Sequence, residues 1–180
     1  AEPILLIVGM RYLAVAEAAL LNAPQPKQLI VLEGQSQGKW LSYDDFLLGA
    51  SPEEQHIPKD DGTAVTLLMF TSGTTGVPKA VMLTHSSFTS YLLDHVSPAD
   101  PELEERNILS VPLYHIAGMQ GVLAGVYSGR TSVIMRQFEP LRWMELAQGE
   151  VVTRAMMVPT MIKQLIEHPQ FHVFDFSSLE

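Results

Sequence analysis

The sequence predicts an α/β fold in which a mostly parallel sheet is flanked by helices. Short apolar runs alternate with helical patterns along almost the whole of the 180 residues, which is the order expected of strand–helix–strand units. Several of the runs, such as residues 4–8, are continuously apolar, as in strands buried on both faces. Apolar residues make up 47% of the chain and charged residues 17%, which is enough apolar material for a core.

The first third of the chain predicts two strands and two helices. Proline cannot continue a helix, so residues 22–26 end the first one, and Ser42 can cap the second with Asp44 and Asp45 in its first turn. The predicted elements are a strand over 4–8, a helix over 11–21, a strand over 29–32, a turn over 33–39, a helix from 42 to 48 and a surface connection over 51–62.

The rest of the chain repeats the alternation. Thr84 can help start a helix, Gly129 is a typical residue just past a helix end, and Pro169 stops the last helix. The pattern predicts strands over 65–70, 80–83, 108–113, 131–135 and 151–158, and helices that begin at 84–87 and span 119–127, 140–147 and 160–167.

Residues 71–79, Thr-Ser-Gly-Thr-Thr-Gly-Val-Pro-Lys, are the most informative segment for function. They combine four hydroxyl side chains, two glycines and Lys79 between two apolar runs. Such a loop offers backbone N–H groups, hydroxyls and one cation to a polyanion, of which the phosphate tail of a nucleotide is the natural example. The spacing is neither the Walker loop nor the dinucleotide G-x-G-x-x-G, and an ordinary turn-rich hairpin is the structural alternative.

Composition excludes several classes of protein. The net charge of −9 argues against nucleic-acid binding, and no apolar stretch is long enough to predict a membrane span. The first residues have no basic lead, so we expect that they do not act as a signal peptide. The chain has no cysteine, which excludes disulfides, thiolate metal sites and a cysteine nucleophile, and which fits a cytoplasmic location.

Residues 71–85, TSGTTGVPKAVMLTH, resemble the phosphate-binding signature of the adenylate-forming superfamily. That superfamily includes acyl-CoA synthetases, adenylation domains of nonribosomal peptide synthetases and beetle luciferases, and this chain looks most like a fatty-acid or acyl-CoA synthetase. Residues 110–118, SVPLYHIAG, are similar to its second core motif, and residues 158–161 resemble the segment before its adenine-binding region. The similarity covers at least residues 60–180. Ala80 stands where the family commonly has glycine, with little effect expected.

The resemblance implies part of an ATP-dependent ligase that joins a small-molecule carboxylic acid to coenzyme A through an acyl-adenylate, with ATP, Mg²⁺ and CoA as cofactors. The pantetheine thiol of a carrier protein is the alternative acceptor. It implies catalytic roles for Lys79 and Thr74, which would stabilise charge on the departing pyrophosphate. No residue of the chain is predicted to bind the metal. The implied phosphate-binding residues are Thr71, Ser72, Gly73, Thr74, Thr75, Gly76 and Lys79, and the implied residues of the acid pocket are His115 and Gly118.

By the same resemblance, residues 1–180 are expected to be a fragment of the large N-terminal AMP-binding domain. The adenine contacts, the acidic magnesium ligand and the C-terminal domain with its catalytic lysine would all lie beyond residue 180. We therefore expect the isolated chain to be inactive, to bind ATP weakly at best and to self-associate through exposed sheet edges. The alternative function is a non-catalytic module that binds a nucleotide or a partner. A phosphatase or kinase lacks support, because the Walker pattern is missing.

Three positions have structural alternatives. His115 could be a half-buried histidine packed beside Tyr114 rather than a wall of the acid pocket. For His85, a structural cap is favoured over catalysis. The helix from 118 to 127 could use its small residues for close packing, or it could line an acyl or CoA channel with Met119 and Val122.

Overall fold

The computed structural model of the chain describes residues 2–51, 53, 62–71, 76, 78–100 and 102–180. The chain divides into two compact units, Ala1–Lys59 and Asp60–Glu180. Strands and helices alternate in both, and most strand pairs are parallel, which confirms the predicted fold class. In the part of the chain described, every helix is too short or too polar to cross a membrane.

The first unit is a small parallel sheet with two helices. Its strands are hydrogen-bonded in the order β1-β2-β3, and the core includes Val31 at 0% and Trp40 at 2% exposure. The Trp40 indole Nε1 donates a hydrogen bond to the Glu17 carboxylate at 3.2 Å. The elements are β1 Leu5–Gly9, α1 Leu13–Leu20, β2 Gln28–Leu32, β3 Leu41–Ser42 and α2 Tyr43–Leu48.

The predicted cap of α2 is confirmed. The Ser42 hydroxyl accepts a hydrogen bond from the backbone N–H of Asp45 at 3.1 Å, and Asp44 and Asp45 lie in the first turn of the helix. Acidic side chains there interact favourably with the positive end of the helix dipole.

The second unit contains a parallel sheet and a separate antiparallel hairpin. The parallel sheet has the order β7-β6-β8, and its central strand is buried, with Ile108 at 0% exposure. The elements are β4 Val65–Thr71, β5 Lys79–Thr84, α3 His85–His95, β6 Arg106–Leu109, α4 Ile116–Tyr127, β7 Thr131–Ile134, α5 Pro140–Gly149, β8 Arg154–Met156 and α6 Pro159–Ile166.

The core of the second unit forms between β6, α5 and α6. It contains Trp143, and three phenylalanines of the last segment pack against it: Phe171, Phe174 and Phe176. The Phe176 ring contacts the rings of both Phe171 and Phe174. Its fully enclosed members are Ile108, Trp143, Met144, Ala147, Val152 and Leu165.

Two predicted strands are too long and one predicted helix begins too early. β6 ends at Leu109 instead of residue 113, because Pro112 has no N–H for the ladder and the chain turns into α4. β8 is confined to Arg154–Met156, because Val151 adopts a left-handed φ of 51° at the end of α5. The helix predicted over 11–21 begins at Leu13, after a 3-10 turn over Met10–Tyr12.

An ion-pair network links the N-terminal ends of the strands in the parallel sheet. The Glu105 carboxylate, just before β6, accepts hydrogen bonds from Arg130 Nε at 2.7 Å and from Arg154 Nε at 2.5 Å. Arg130 directly precedes β7, and Arg154 begins β8, so one carboxylate contacts the start of every strand in this sheet. The Arg130 guanidinium, and to a smaller extent Arg154, holds the pKa of Glu105 below its ordinary value despite partial burial.

Candidate functional site

The segment 71–79 joins the two strands of the antiparallel hairpin. β4 and β5 pair with Phe70 opposite Ala80 and Thr71 opposite Lys79, so the strand ends that flank the loop face each other. A connection as short as 72–78 permits antiparallel pairing only, which explains why this pair departs from the parallel rule. Of the predicted phosphate-binding residues, Ser72, Gly73, Thr74 and Thr75 lie outside the described residues.

Thr71 and Lys79 lie side by side at the mouth of the loop. Directly opposed residues of an antiparallel pair place their side chains on the same face, so the hydroxyl and the ammonium share one face of the hairpin. Both residues are exposed. The Thr71 hydroxyl donates a long hydrogen bond of 3.4 Å to the Lys79 carbonyl, so its lone pairs can still accept a hydrogen bond.

Gly76 has a φ of 80°, in the region that only glycine adopts without strain. Among the described residues, no atom lies within 4 Å of where a Cβ on Gly76 would be. The glycine is therefore required by the backbone conformation and not by crowding.

The hairpin leads directly into a capped helix. The Thr84 hydroxyl accepts from the backbone N–H of Ser87, and the Ser87 hydroxyl accepts from the backbone N–H of Thr84, both at 3.3 Å. This capping box makes Thr84 the cap of α3 and His85 its first helical residue. The predicted role of Thr84 in starting the helix is confirmed, and the cap expected at His85 belongs to its neighbour.

His115 caps α4. The residue is exposed, and its imidazole Nδ1 accepts a hydrogen bond from the backbone N–H of Ala117 at 3.3 Å. Its own backbone N–H donates to the Pro112 carbonyl at 3.0 Å. An Nδ1 that accepts carries no proton, so the neutral ring has its proton on Nε2 and can donate from there. The predicted strand over 108–113 would put His115 just past a strand end, whereas His115 lies in the turn between β6 and α4.

Gly118 lies in the first turn of α4, buried beneath that same loop. A Cβ at this position would be 2.3 Å from the Pro112 carbonyl oxygen and 2.9 Å from the Leu113 Cα. Gly121 and Gly125 are also buried, against Leu109 and Ser132. These contacts favour close packing as the use of the small residues on this face of α4.

Helix α3 connects the two parts of the site. It contacts both β5, which carries Lys79, and α4, which His115 caps. The structure thus brings Thr71 and Lys79 together in one place and His115 and Gly118 in another, within one compact unit.

Sequence reasoning did not identify the backbone groups that hold His115. The Pro112 carbonyl and the Ala117 N–H belong to residues with no functional side chain, and only the spacing of the PLYHIAG segment hints at them. Ser110, two residues before that segment, is 4% exposed, and its hydroxyl has no hydrogen-bond partner in the part of the chain described. Within the same part, no three histidine or acidic side chains converge as a metal site would require.

Comparison with known proteins gives consistent matches. The sequence profile of a family described as AMP-binding enzyme matches residues 2–180. The chain is 36% identical over 136 residues to 4-coumarate-CoA ligase 1 of Narcissus pseudonarcissus, covering 72% of this chain and 25% of that protein. It is 35% identical over 129 residues to feruloyl-CoA synthase of an Amycolatopsis species, covering 71% and 26%.

A solved structure supports the same grouping. The inhibitor-bound N-terminal domain of FACL13 from Mycobacterium tuberculosis superimposes with a TM-score of 0.77 at 26% identity, covering 97% of this chain and 42% of that one. The chain spans about a quarter of the length of the two curated relatives described above.

Proposed function

Because the chain belongs to the AMP-binding enzyme family, we propose that it is part of an ATP-dependent ligase that joins a carboxylic acid to coenzyme A. The observation that carries the proposal is the register of the hairpin, which places the Thr71 and Lys79 side chains on one face at the ends of the glycine-rich loop. The relatives named as CoA ligase and CoA synthase support the acid–thiol chemistry. The activity belongs to a protein of which these 180 residues form part of the large N-terminal domain.

In the first proposed step, a carboxylate oxygen of the acid attacks the α-phosphorus of ATP. The bond to the bridging oxygen of the β-phosphate breaks, and pyrophosphate leaves with its electron pair. Lys79 and the hydroxyls of 71–75 hold the β- and γ-phosphates and offset the negative charge that grows on the leaving group. Lys79 supplies a cation on one exposed face, and the Thr71 hydroxyl on the same face donates to a phosphate oxygen once it gives up its long hydrogen bond to the Lys79 carbonyl.

In the second proposed step, the thiol of coenzyme A loses its proton to solvent and its sulfur attacks the acyl carbon of the adenylate. A thioester forms and AMP leaves with the electrons of the acyl–oxygen bond. Mg²⁺ would supply charge neutralisation at the phosphates when bound. The described residues offer no converging metal ligands, so the roles proposed for this chain are those of its hydroxyls, its amides and Lys79.

His115 is proposed to border the acid. It is exposed at the start of α4, and the ring is oriented by the Ala117 N–H so that Nε2–H can donate a hydrogen bond. A donor of this kind suits a carboxylate oxygen of the acid or the acyl oxygen of the adenylate.

The test is pyrophosphate release by the complete protein with a panel of carboxylic acids that includes coumarate, ferulate and fatty acids. We expect release that depends on an acid, and we expect Lys79→Ala to slow it about 10²-fold, as loss of one charge-stabilising donor does elsewhere. Lys163→Ala is the matched control, because Lys163 is an exposed helical lysine that forms a surface ion pair with Glu167 at 3.7 Å.

Three outcomes separate the alternatives. A folded protein that releases no pyrophosphate with any acid contradicts the ligase, and ATP binding without turnover favours a non-catalytic module. An unchanged rate in Lys79→Ala removes this lysine from the site. A cytoplasmic location and self-association through exposed strand edges stay predictions, which fractionation and light scattering test.

A further inference from the structure

We propose that Gly118 is a positioning residue. Because it has no side chain, the loop before α4 can pack against the helix and hold His115 in position, and Gly118 itself does not touch the substrate. This inference rests on the proposed function in one respect, namely that His115 borders the acid. It gives Gly118, the glycine of the PLYHIAG segment, a role in packing against the loop before the helix instead of a place in the acid pocket.

Gly118 has no space for a side chain. A Cβ would lie 2.3 Å from the Pro112 carbonyl oxygen, 2.8 Å from its carbon and 2.9 Å from the Leu113 Cα. Real side chains do not approach backbone atoms so closely, and backbone atoms cannot rotate out of the way as the end of a side chain can. Any side chain at 118 must therefore push the Pro112–Leu113 backbone away from α4.

The displaced carbonyl holds His115. The Pro112 carbonyl oxygen, which would meet the new methyl group, accepts the backbone N–H of His115 at 3.0 Å. The imidazole is fixed in turn by the Ala117 N–H at 3.3 Å, and the His115 carbonyl accepts from the Met119 N–H at 3.1 Å. These bonds join loop and helix at His115, so a shift of the loop changes the position of the ring.

The other buried glycines of α4 provide a contrast. A Cβ on Gly121 would meet the Leu109 Cδ2 at 2.8 Å, which is the end of a flexible side chain. A Cβ on Gly125 would meet the Ser132 hydroxyl at 2.8 Å and the Asn107 amide at 3.3 Å. Both positions face side chains from the sheet, whereas Gly118 faces loop backbone, and Gly121→Ala is therefore the matched control for Gly118→Ala.

The experiment measures KM for the acid, KM for ATP and kcat in the complete protein for Gly118→Ala, Gly121→Ala and the wild type. We expect Gly118→Ala to lower kcat/KM for the acid roughly tenfold or more, because a misplacement of about 1 Å can cost 10²-fold, while KM for ATP stays within about twofold. Gly121→Ala is expected to change neither value by more than about twofold.

A double-mutant cycle with His115→Ala separates positioning from general damage. If Gly118 acts through His115, Gly118→Ala has little further effect on kcat/KM once the imidazole is gone. Equal effects of Gly118→Ala in both backgrounds, or kinetics equal to those of Gly121→Ala, would overturn the proposal. An active wild type with such a result leaves the ligase function intact, whereas an inactive wild type contradicts the ligase.

A readout without catalysis completes the test. In protein labelled with ¹⁵N-histidine, His115→Ala assigns the ring signals. Gly118→Ala should move the Nδ1 signal away from its hydrogen-bonded position and Gly121→Ala should not. If Gly118→Ala does not fold, a second substitution, Pro112→Gly, lets the residue-112 carbonyl rotate away from the new methyl group. The double variant Pro112→Gly/Gly118→Ala is then compared with the single variant Pro112→Gly. An Nδ1 signal and acid KM equal in those two proteins would also overturn the proposal.

Discussion

Replacing Glu105 with glutamine tests whether one carboxylate stabilises the N-terminal ends of the three strands in the parallel sheet. The carboxylate is 18% exposed and its Arg130 partner 14%, so this hydrogen-bonded ion pair is largely shielded from water. Hydrogen bonds to charged groups contribute about 1.5–3 kcal/mol. The Arg154 partner is 45% exposed and adds only about 0.2–1 kcal/mol. Because glutamine keeps one acceptor oxygen, we expect Glu105→Gln to lower the free energy of unfolding by about 2 kcal/mol.

The effect should depend on pH in a defined direction. Arg130 holds the pKa of Glu105 below its ordinary value of 4.5 in the folded state, so the carboxylate contributes its full stabilisation above pH 4.5. That contribution is lost as the pH falls through the lowered pKa, because the wild-type carboxyl then becomes neutral as well. The difference between the two proteins should therefore be constant from about pH 7 to about pH 5 and should shrink below that.

The assay is urea unfolding followed by the fluorescence of Trp143, which lies in the core of the same unit. Trp40→Phe in every protein compared removes the other tryptophan. Glu145→Gln is the control, because Glu145 pairs with Arg142 on an exposed helix face, and it should cost less than about 0.5 kcal/mol. Equal effects of the two substitutions, or a Glu105→Gln effect that persists unchanged at low pH, would refute the reasoning.

Two further substitutions test local features of the second unit. Thr84→Ala should lower the free energy of unfolding by about 1 kcal/mol, because it removes the cap of α3. Its control is Thr89→Ala, which removes a hydroxyl bonded to the His85 carbonyl within the same helix and should have no measurable effect. Thermal unfolding compares the two variants. Ser110→Ala should leave the protein as stable or stabilise it by up to about 1 kcal/mol, because it removes a buried hydroxyl without a partner among the described residues, and a clear loss of stability in urea would reveal a missed partner.

Local signals in the sequence predict the local structure well. Ser42 and Thr84 cap the helices where hydroxyl residues precede a helical pattern, and Gly129 has a φ of 65° just past α4. Strand ends are predicted poorly, since an apolar run does not tell where pairing stops. The run through Val111 and Pro112 continues after the ladder has ended at Leu109.

The site is predicted by residue type and not by arrangement. The pairing of Thr71 with Lys79 could be anticipated from the short segment between two apolar runs, because only a hairpin closes it. The hydrogen bonds that fix His115 could not be anticipated, because their partners are backbone groups of Pro112 and Ala117. The positions of these groups depend on how the loop meets the helix. Likewise, the contacts of Glu105 with Arg130 and Arg154 join residues far apart in sequence, for which no spacing rule exists.

The register of the two hairpin strands determines which face the side chains at their ends occupy. Side chains alternate between faces along a strand, so sliding β5 by one residue against β4 would carry the Lys79 ammonium to the reverse side from the Thr71 hydroxyl. A residue inserted between 72 and 78 lengthens the connection and leaves Thr71 paired with Lys79. A residue inserted within either strand shifts the register and breaks this pairing. Natural length variation should therefore be tolerated in the connection and excluded from the strands that flank it.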